Sequence, residues 1–203
     1  RFGKTLNLSM IEYFFSVIHT DKRYLFEGLE IWKDEKYRLL QGTYPVIHCS
    51  FQNVKDDNYE AMRKHIFEII ASLYKKYSFI KENNSLSDRD KTFWNMLLSQ
   101  EANDISIGSS LFELSRYLYH YYDKKVIILL DDYDTPIQTA CEYGFYNDLM
   151  YFLRSLFLST FKTNEYLDRA IMLGNIAASN DMIFEYLNMD VIPVTSNKYA
   201  TSF

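Results

Sequence analysis

The run KVIILLDD at residues 125–132 constrains this chain more than any other feature. Consecutive side chains of a strand point to opposite faces. Five aliphatic residues in a row, Val126 to Leu130, therefore make both faces apolar, and such a strand is stable only where both faces are covered, at the centre of a parallel sheet. Two further segments read as strands, YPVIHCSF at 44–51 and, as another buried strand, RAIMLG at 169–174. Helical spacing fills the intervals. At 4–18 the apolar set is Leu6, Met10, Ile11, Phe14 and Ile18. Asp57, with Glu60 three residues on, reads as the cap of a helix whose stripe is Met62, Ile66, Ile69, Leu73 and Tyr77. Ser87 with Asp90 opens another through Phe93, Leu97 and Leu98, and Ser110 with Glu113 a third through Leu114, Leu118 and Tyr121. Residues 145–161 are helical with Leu149, Phe152, Leu153 and Leu156 on one side; 183–187 read as a short helix, and the tail from 191 has weak strand character. Residues 81–91 are polar and turn-rich, and read as a loop. Strands alternating with helices imply a parallel sheet with helices on both faces.

The length of 203 residues suits one such α/β domain spanning 1–203 and is short for two. Formal charge is −5, which argues against a surface built to grip nucleic acid through its phosphates. Cys49 and Cys141 have no paired spacing, and His19, His48, His65 and His120 are scattered, so neither a disulfide framework nor a zinc site follows. A reducing, cytoplasmic setting fits. No stretch approaches the roughly 18 apolar residues that a membrane span needs. The chain opens without Met at RFGKT, and reads as truncated at its N-terminus.

That opening carries chemistry. Gly3-Lys4-Thr5 stands where an amphipathic helix begins. Free N–H groups at a helix start point at an anion, and the helix dipole favours its charge. Lys4 is placed to reach the β- and γ-phosphates of a nucleotide, and Thr5 to give its hydroxyl to Mg²⁺. The run VIILL ends in Asp131-Asp132. A carboxylate at the end of a central strand is where a P-loop protein holds Mg²⁺, and the acid after it can orient the attacking water. The expected fold is therefore a three-layer, parallel-sheet P-loop NTPase-like domain with its first strand missing.

The segments RFGKTLNLSMIEYFF, YPVIHCSF, KVIILLDDYDTPIQTA and RAIMLGN, with IFEYLN after them, resemble the AAA-ATPase-like family of P-loop proteins over nearly the whole chain. Asp-x-Tyr-Asp-x-Pro-Ile is the most distinctive piece, since a plain metal-binding strand does not require it. The resemblance implies ATP and Mg²⁺ as ligands, Gly3, Lys4 and Thr5 on the phosphates, Asp131 and Thr5 on the metal side, and Asp132 as the water-activating acid. It also implies that members often carry a C-terminal PD-(D/E)XK nuclease-like domain. Asn175, at the end of a strand, stands where a polar side chain can meet the γ-phosphate; the alternative, and the commoner use of such a residue, is a plain loop asparagine. Three departures from the family pattern stand out, one of them Asn188-Met189 in place of a double Asn after the short helix. The family usually has Glu where this chain has Asp132, one methylene or about 1 Å shorter. Its basic pair after the RAIMLG-like strand is absent from GNIAASN at 174–180.

Three functions compete on these residues. One is an Mg²⁺-dependent ATPase that switches an attached effector domain. Another is a degenerate module that binds nucleotide without turnover, or only keeps the fold. The last is a nucleic-acid enzyme by association with a nuclease domain, for which no residue here supplies the chemistry.

Overall fold

The computed structural model describes residues 3–82 and 86–175, together with Leu187, Met189, Asp190 and Ile192. The expected short helix at 183–187, apart from Leu187, and most of the tail from 191 lie outside the described residues. Helices α1 (Lys4–Phe15), α2 (Glu30–Lys33) and α3 (Glu35–Arg38) come first, with a 3₁₀ segment, Val17–Leu25, after α1. Strand β1 (Val46–Ser50) leads to α4 (Tyr59–Lys76), α5 (Phe79–Glu82), α6 (Asp88–Leu98) and α7 (Asp104–Tyr122). Then follow β2 (Val126–Asp131), α8 (Thr135–Tyr143), α9 (Tyr146–Phe157), a π-helical turn at Leu158–Lys162 and β3 (Leu167–Met172).

The three strands form a parallel sheet in the order β1-β2-β3. Every residue of β2 is buried, as its apolar run requires. Its side chains divide by parity. Val126, Ile128 and Leu130 join Ile47 and Cys49 of β1 in a core shared with α4, α6, α7 and α9. Ile127 and Leu129 join Val46 of β1 and Leu8 of α1 on the other face, with Ile11 and Phe15 packed alongside. Helices thus cover both faces of an α/β parallel sheet, an arrangement compatible with the P-loop architecture expected from the sequence.

Several local expectations change. The buried residues of α1 are Leu8, Glu12 and Phe14, whereas Leu6 and Met10 are exposed. Helix α4 is capped not by Asp57 but by Asn58, whose side chain accepts the Ala61 N–H at 2.9 Å. Helix α7 begins at Asp104 under an Asn103 cap, seven residues before the expected start near Leu111, and Ser110 lies inside it with its hydroxyl on Ile107 O. The Ser87–Asp90 capping box of α6 is present as read.

Glu12 faces inward because partners meet it there. His48 Nδ1 of β1 lies 2.6 Å from Oε2, and Lys76 Nζ, at the end of α4, donates to Oε1 at 3.1 Å. Lys76 is thus part of an ion pair, although it stands beside Lys75 at the end of a helix. Burial alone would raise the Glu12 carboxyl; the His48 bond and the Lys76 charge outweigh it and hold the group at about 2, down from an ordinary 4.5. A depressed folded-state pKa stabilises the fold above the unfolded value, and that contribution disappears as pH falls from 4.5 through about 2. Allowing for solvent screening, Glu12→Gln should cost about 1–2 kcal/mol at pH 7. Urea unfolding of both proteins at a series of pH values should show the gap closing toward pH 2; a constant gap would count against the ion pair.

Candidate functional site

Parallel strands put their C-terminal ends on one rim, and the candidate site lies there. Gly3 precedes α1 with φ of 67°, a left-handed backbone that favours glycine, and its carbonyl accepts the Asn7 N–H at 2.9 Å. The N-terminal N–H groups of the twelve-residue α1 and its dipole therefore face this rim. Thr5 is exposed on the first turn.

Lys4 extends from the helix start to the end of β3. Its Nζ donates to Gly174 O at 3.0 Å and to Asn175 Oδ1 at 2.5 Å. The residues expected to meet phosphate, Lys4 and Asn175, are thus in direct contact across 171 positions of sequence.

Asp131 ends β2 and is fully buried. Its Oδ1 accepts the Asp132 N–H at 3.1 Å, while Oδ2 is buried without a hydrogen-bond partner among the described residues. An ionised carboxylate oxygen in that state is costly, and a cation is the ligand that relieves it. Asp131 therefore fits Mg²⁺, with the exposed Thr5 hydroxyl as the other expected ligand on this rim. Among the described residues no group of three or more His, Cys, Asp or Glu side chains forms a metal cluster, so any cation here would complete its shell with phosphate oxygens and water.

Asp132 follows in a left-handed backbone, φ 50°. Its carboxyl is half-buried, and its pKa is raised by burial first and by the adjacent Asp131 charge second, with Lys4 pulling the other way. The chain then turns into α8, with Pro136 in its first turn and the Thr135 N–H on Asp132 O at 3.1 Å.

Two more residues belong here: Asp134, which the sequence offers as a stand-in for the short Asp132 or as a loop cap, and Gly174, to which it assigns no part. Asp134 reads as a loop cap, yet its side chain makes no capping bond. It crosses instead to the β3 exit, where Oδ2 accepts the Asn175 backbone N–H at 2.8 Å. Gly174 packs so closely that a Cβ there would lie 2.7 Å from the Tyr133 ring and 2.9 Å from Asp134 Oδ1. A lone glycine just after a strand is the sequence signal for such an approach; β3 itself, Leu167–Met172, has no buried residue, so the buried strand expected at 169–174 is instead half-exposed.

Other groups that could carry chemistry, the adjacent His48 and Cys49 of β1 and Arg169 of β3, have surroundings of their own. Cys49 is buried, and burial pushes its thiol up to about 12, so with His48 turned to Glu12 the two are no catalytic pair. Arg169 is exposed beside Asp168. The basic pair that the family carries after this strand would fall on 176–180, outside the described residues.

A family model described as "Predicted AAA-ATPase" (AAA-ATPase_like) matches residues 1–184, and the chain belongs to that family. The matched span includes Lys4, Asp131, Asp132, Asp134 and Asn175. No curated protein and no solved structure matches the chain. Among the described residues, no helix is long and apolar enough to cross a membrane.

Proposed function

We propose that this domain is a P-loop module that binds ATP with Mg²⁺ at the start of α1 and hydrolyses it, the change in occupancy switching an attached effector domain. The observation that carries this reading is the reach of Lys4 from the helix start to Gly174 and Asn175, beside the Asp131-Asp132 strand end. Membership of a family described as predicted AAA-ATPases supports it.

In this reading the N–H groups at the start of α1 take the phosphates, and Lys4 moves from Asn175 onto the β- and γ-oxygens. Asp131 and Thr5 hold Mg²⁺, which when bound neutralises charge on the β- and γ-phosphates. Asp132 accepts a hydrogen bond from water and takes its proton as the water oxygen bonds to the γ-phosphorus and the bond to the β–γ bridging oxygen breaks. The raised pKa of Asp132 makes its carboxylate a better base than that of a surface aspartate. Asn175, freed of Lys4, offers its amide to the γ-phosphate. An attached PD-(D/E)XK nuclease-like domain is one effector that the family resemblance implies.

A second reading keeps binding and drops turnover. It is favoured by the short Asp132 side chain on its left-handed backbone. Titration with Mg-ATP and assay of phosphate release separate the two. Lys4→Ala in the full-length protein should weaken Mg-ATP binding and cut turnover by about a hundredfold or more. Wild-type binding without phosphate release would establish the second reading, and equal binding by wild type and Lys4→Ala would end both.

A further inference from the structure

We infer that Asp134 is a positioning residue for Lys4: it fixes the Gly174–Asn175 turn whose oxygens hold the lysine ammonium at the phosphate site. The inference deepens the nucleotide reading above, and rests on it for its purpose though not for its test.

Asp134 is 3 % exposed. A carboxylate in that position needs hydrogen bonds in return for lost water. Its Oδ2 takes one from the Asn175 backbone N–H at 2.8 Å and one from Gln138 Nε2 at 2.6 Å. Gln138 lies one turn along α8, so the carboxylate is braced by its own helix while it grips the β3 exit. The start of the nine-residue α8 adds a favourable dipole.

The turn it grips is pinned from other directions too. Leu173 N–H bonds Leu130 O at 2.8 Å and Tyr133 N–H bonds Leu173 O at 3.2 Å, extending the β2–β3 pairing past the end of the strands. Gly174 brings its backbone against Tyr133 and Asp134, with no room for a Cβ. On the opposite side of this turn, Gly174 O and Asn175 Oδ1 accept Lys4 Nζ.

A lysine ammonium on four methylenes loses substantial rotamer freedom when held in one place. Two acceptors supplied by a rigid turn place it before any phosphate arrives. With Asp134 removed, the Asn175 N–H loses its acceptor, the turn loosens, and Lys4 becomes a mobile surface amine.

The test needs no nucleotide. Full-length, nucleotide-free protein is treated with an acetyl N-hydroxysuccinimide ester, and acetylation of Lys4 is followed by peptide mass spectrometry relative to Lys33, an exposed lysine far from the turn. Asp134→Ala should raise the Lys4-to-Lys33 ratio about fivefold, the scale of one lost buried hydrogen bond. Asp134→Asn should stay near wild type, because its amide oxygen, placed where Oδ2 now lies, still accepts from both the Asn175 N–H and Gln138 Nε2. Gly174→Ala, whose Cβ drives Asp134 off the turn, should match Asp134→Ala and carries the test if that variant does not fold. An unchanged ratio in folded Asp134→Ala or Gly174→Ala overturns the inference. So does a rise in Asp134→Asn equal to that in Asp134→Ala, which would make the charge and not the grip responsible. Failure of the nucleotide reading is seen separately, as absence of Mg-ATP binding by the wild type.

Discussion

Asp132→Asn should lose phosphate release by a factor of about a hundred to ten thousand, the usual worth of a general base, while the nucleotide-free protein melts a few degrees higher than wild type. Both effects come from the same residue for physical reasons. Asp132 sits at φ 50°, a left-handed conformation that asparagine adopts at least as readily as aspartate. Its carboxylate is half-buried beside the fully buried Asp131, and both influences raise its pKa. An acid whose folded pKa lies above its unfolded value holds its proton longer in the native state. Stability therefore falls as pH rises from the unfolded value through the folded one, and the penalty persists at neutral pH. Asparagine removes that penalty along with the base. Mg-ATP affinity should change little, because Lys4 and the helix start are intact. Melting curves with and without Mg-ATP, beside a phosphate-release assay, give all three quantities. Unchanged turnover would remove Asp132 from the mechanism, and a lower melting temperature would contradict the strain and charge argument.

Trp94→Ala should destabilise the fold by about 3–5 kcal/mol, lowering the melting temperature by roughly 10 °C or more. Trp94 is wholly buried. Its ring meets Tyr74 edge-on at 4.7 Å and Tyr117 at 5.5 Å, so one side chain on α6 ties α4 to α7. Tyr74 depends on that packing in turn, since its hydroxyl donates to Ser110 O at 2.7 Å inside α7. Trp94 Nε1 is buried without a partner among the described residues, so phenylalanine gives up no hydrogen bond there. Trp94→Phe should accordingly cost under about 1.5 kcal/mol. Urea midpoints of the three proteins test the order. Equal losses for Phe and Ala would show that an indole contact, not volume, holds the three helices together.

The strands were legible because their signal is local. Five aliphatic residues in succession fit only a doubly covered strand, and β2 spans Val126–Asp131 within a residue of the expectation at each end. Lys4, Asp131 and Asp132 stand out in the sequence as candidates by their position at the ends of such elements, and the fold brings them to one rim. The start of α7 was missed because Gly108, Ser109 and Ser110 look like loop residues. They are small for another reason. A Cβ on Gly108 would overlap Ser155 Oγ of α9, and the Ser159 hydroxyl bonds Gly108 O, so α7 and the end of α9 approach through that gap. The inward turn of Glu12 was equally invisible, because its partners lie 36 and 64 positions away. The same holds for Asp134, whose grip on Asn175 spans 41 residues. Long-range pairing of polar groups leaves no periodicity to read.

The common direction of the three strands has a practical side. Everything expected to touch nucleotide gathers where they end, so the rim where they begin is free of those residues. There Asp123 makes an exposed left-handed turn between α7 and β2, and Lys124 stacks over Tyr44 at 4.4 Å. That turn is the natural attachment point for a dye, an affinity handle or a surface tether, leaving the opposite rim open to solution while its occupancy is watched.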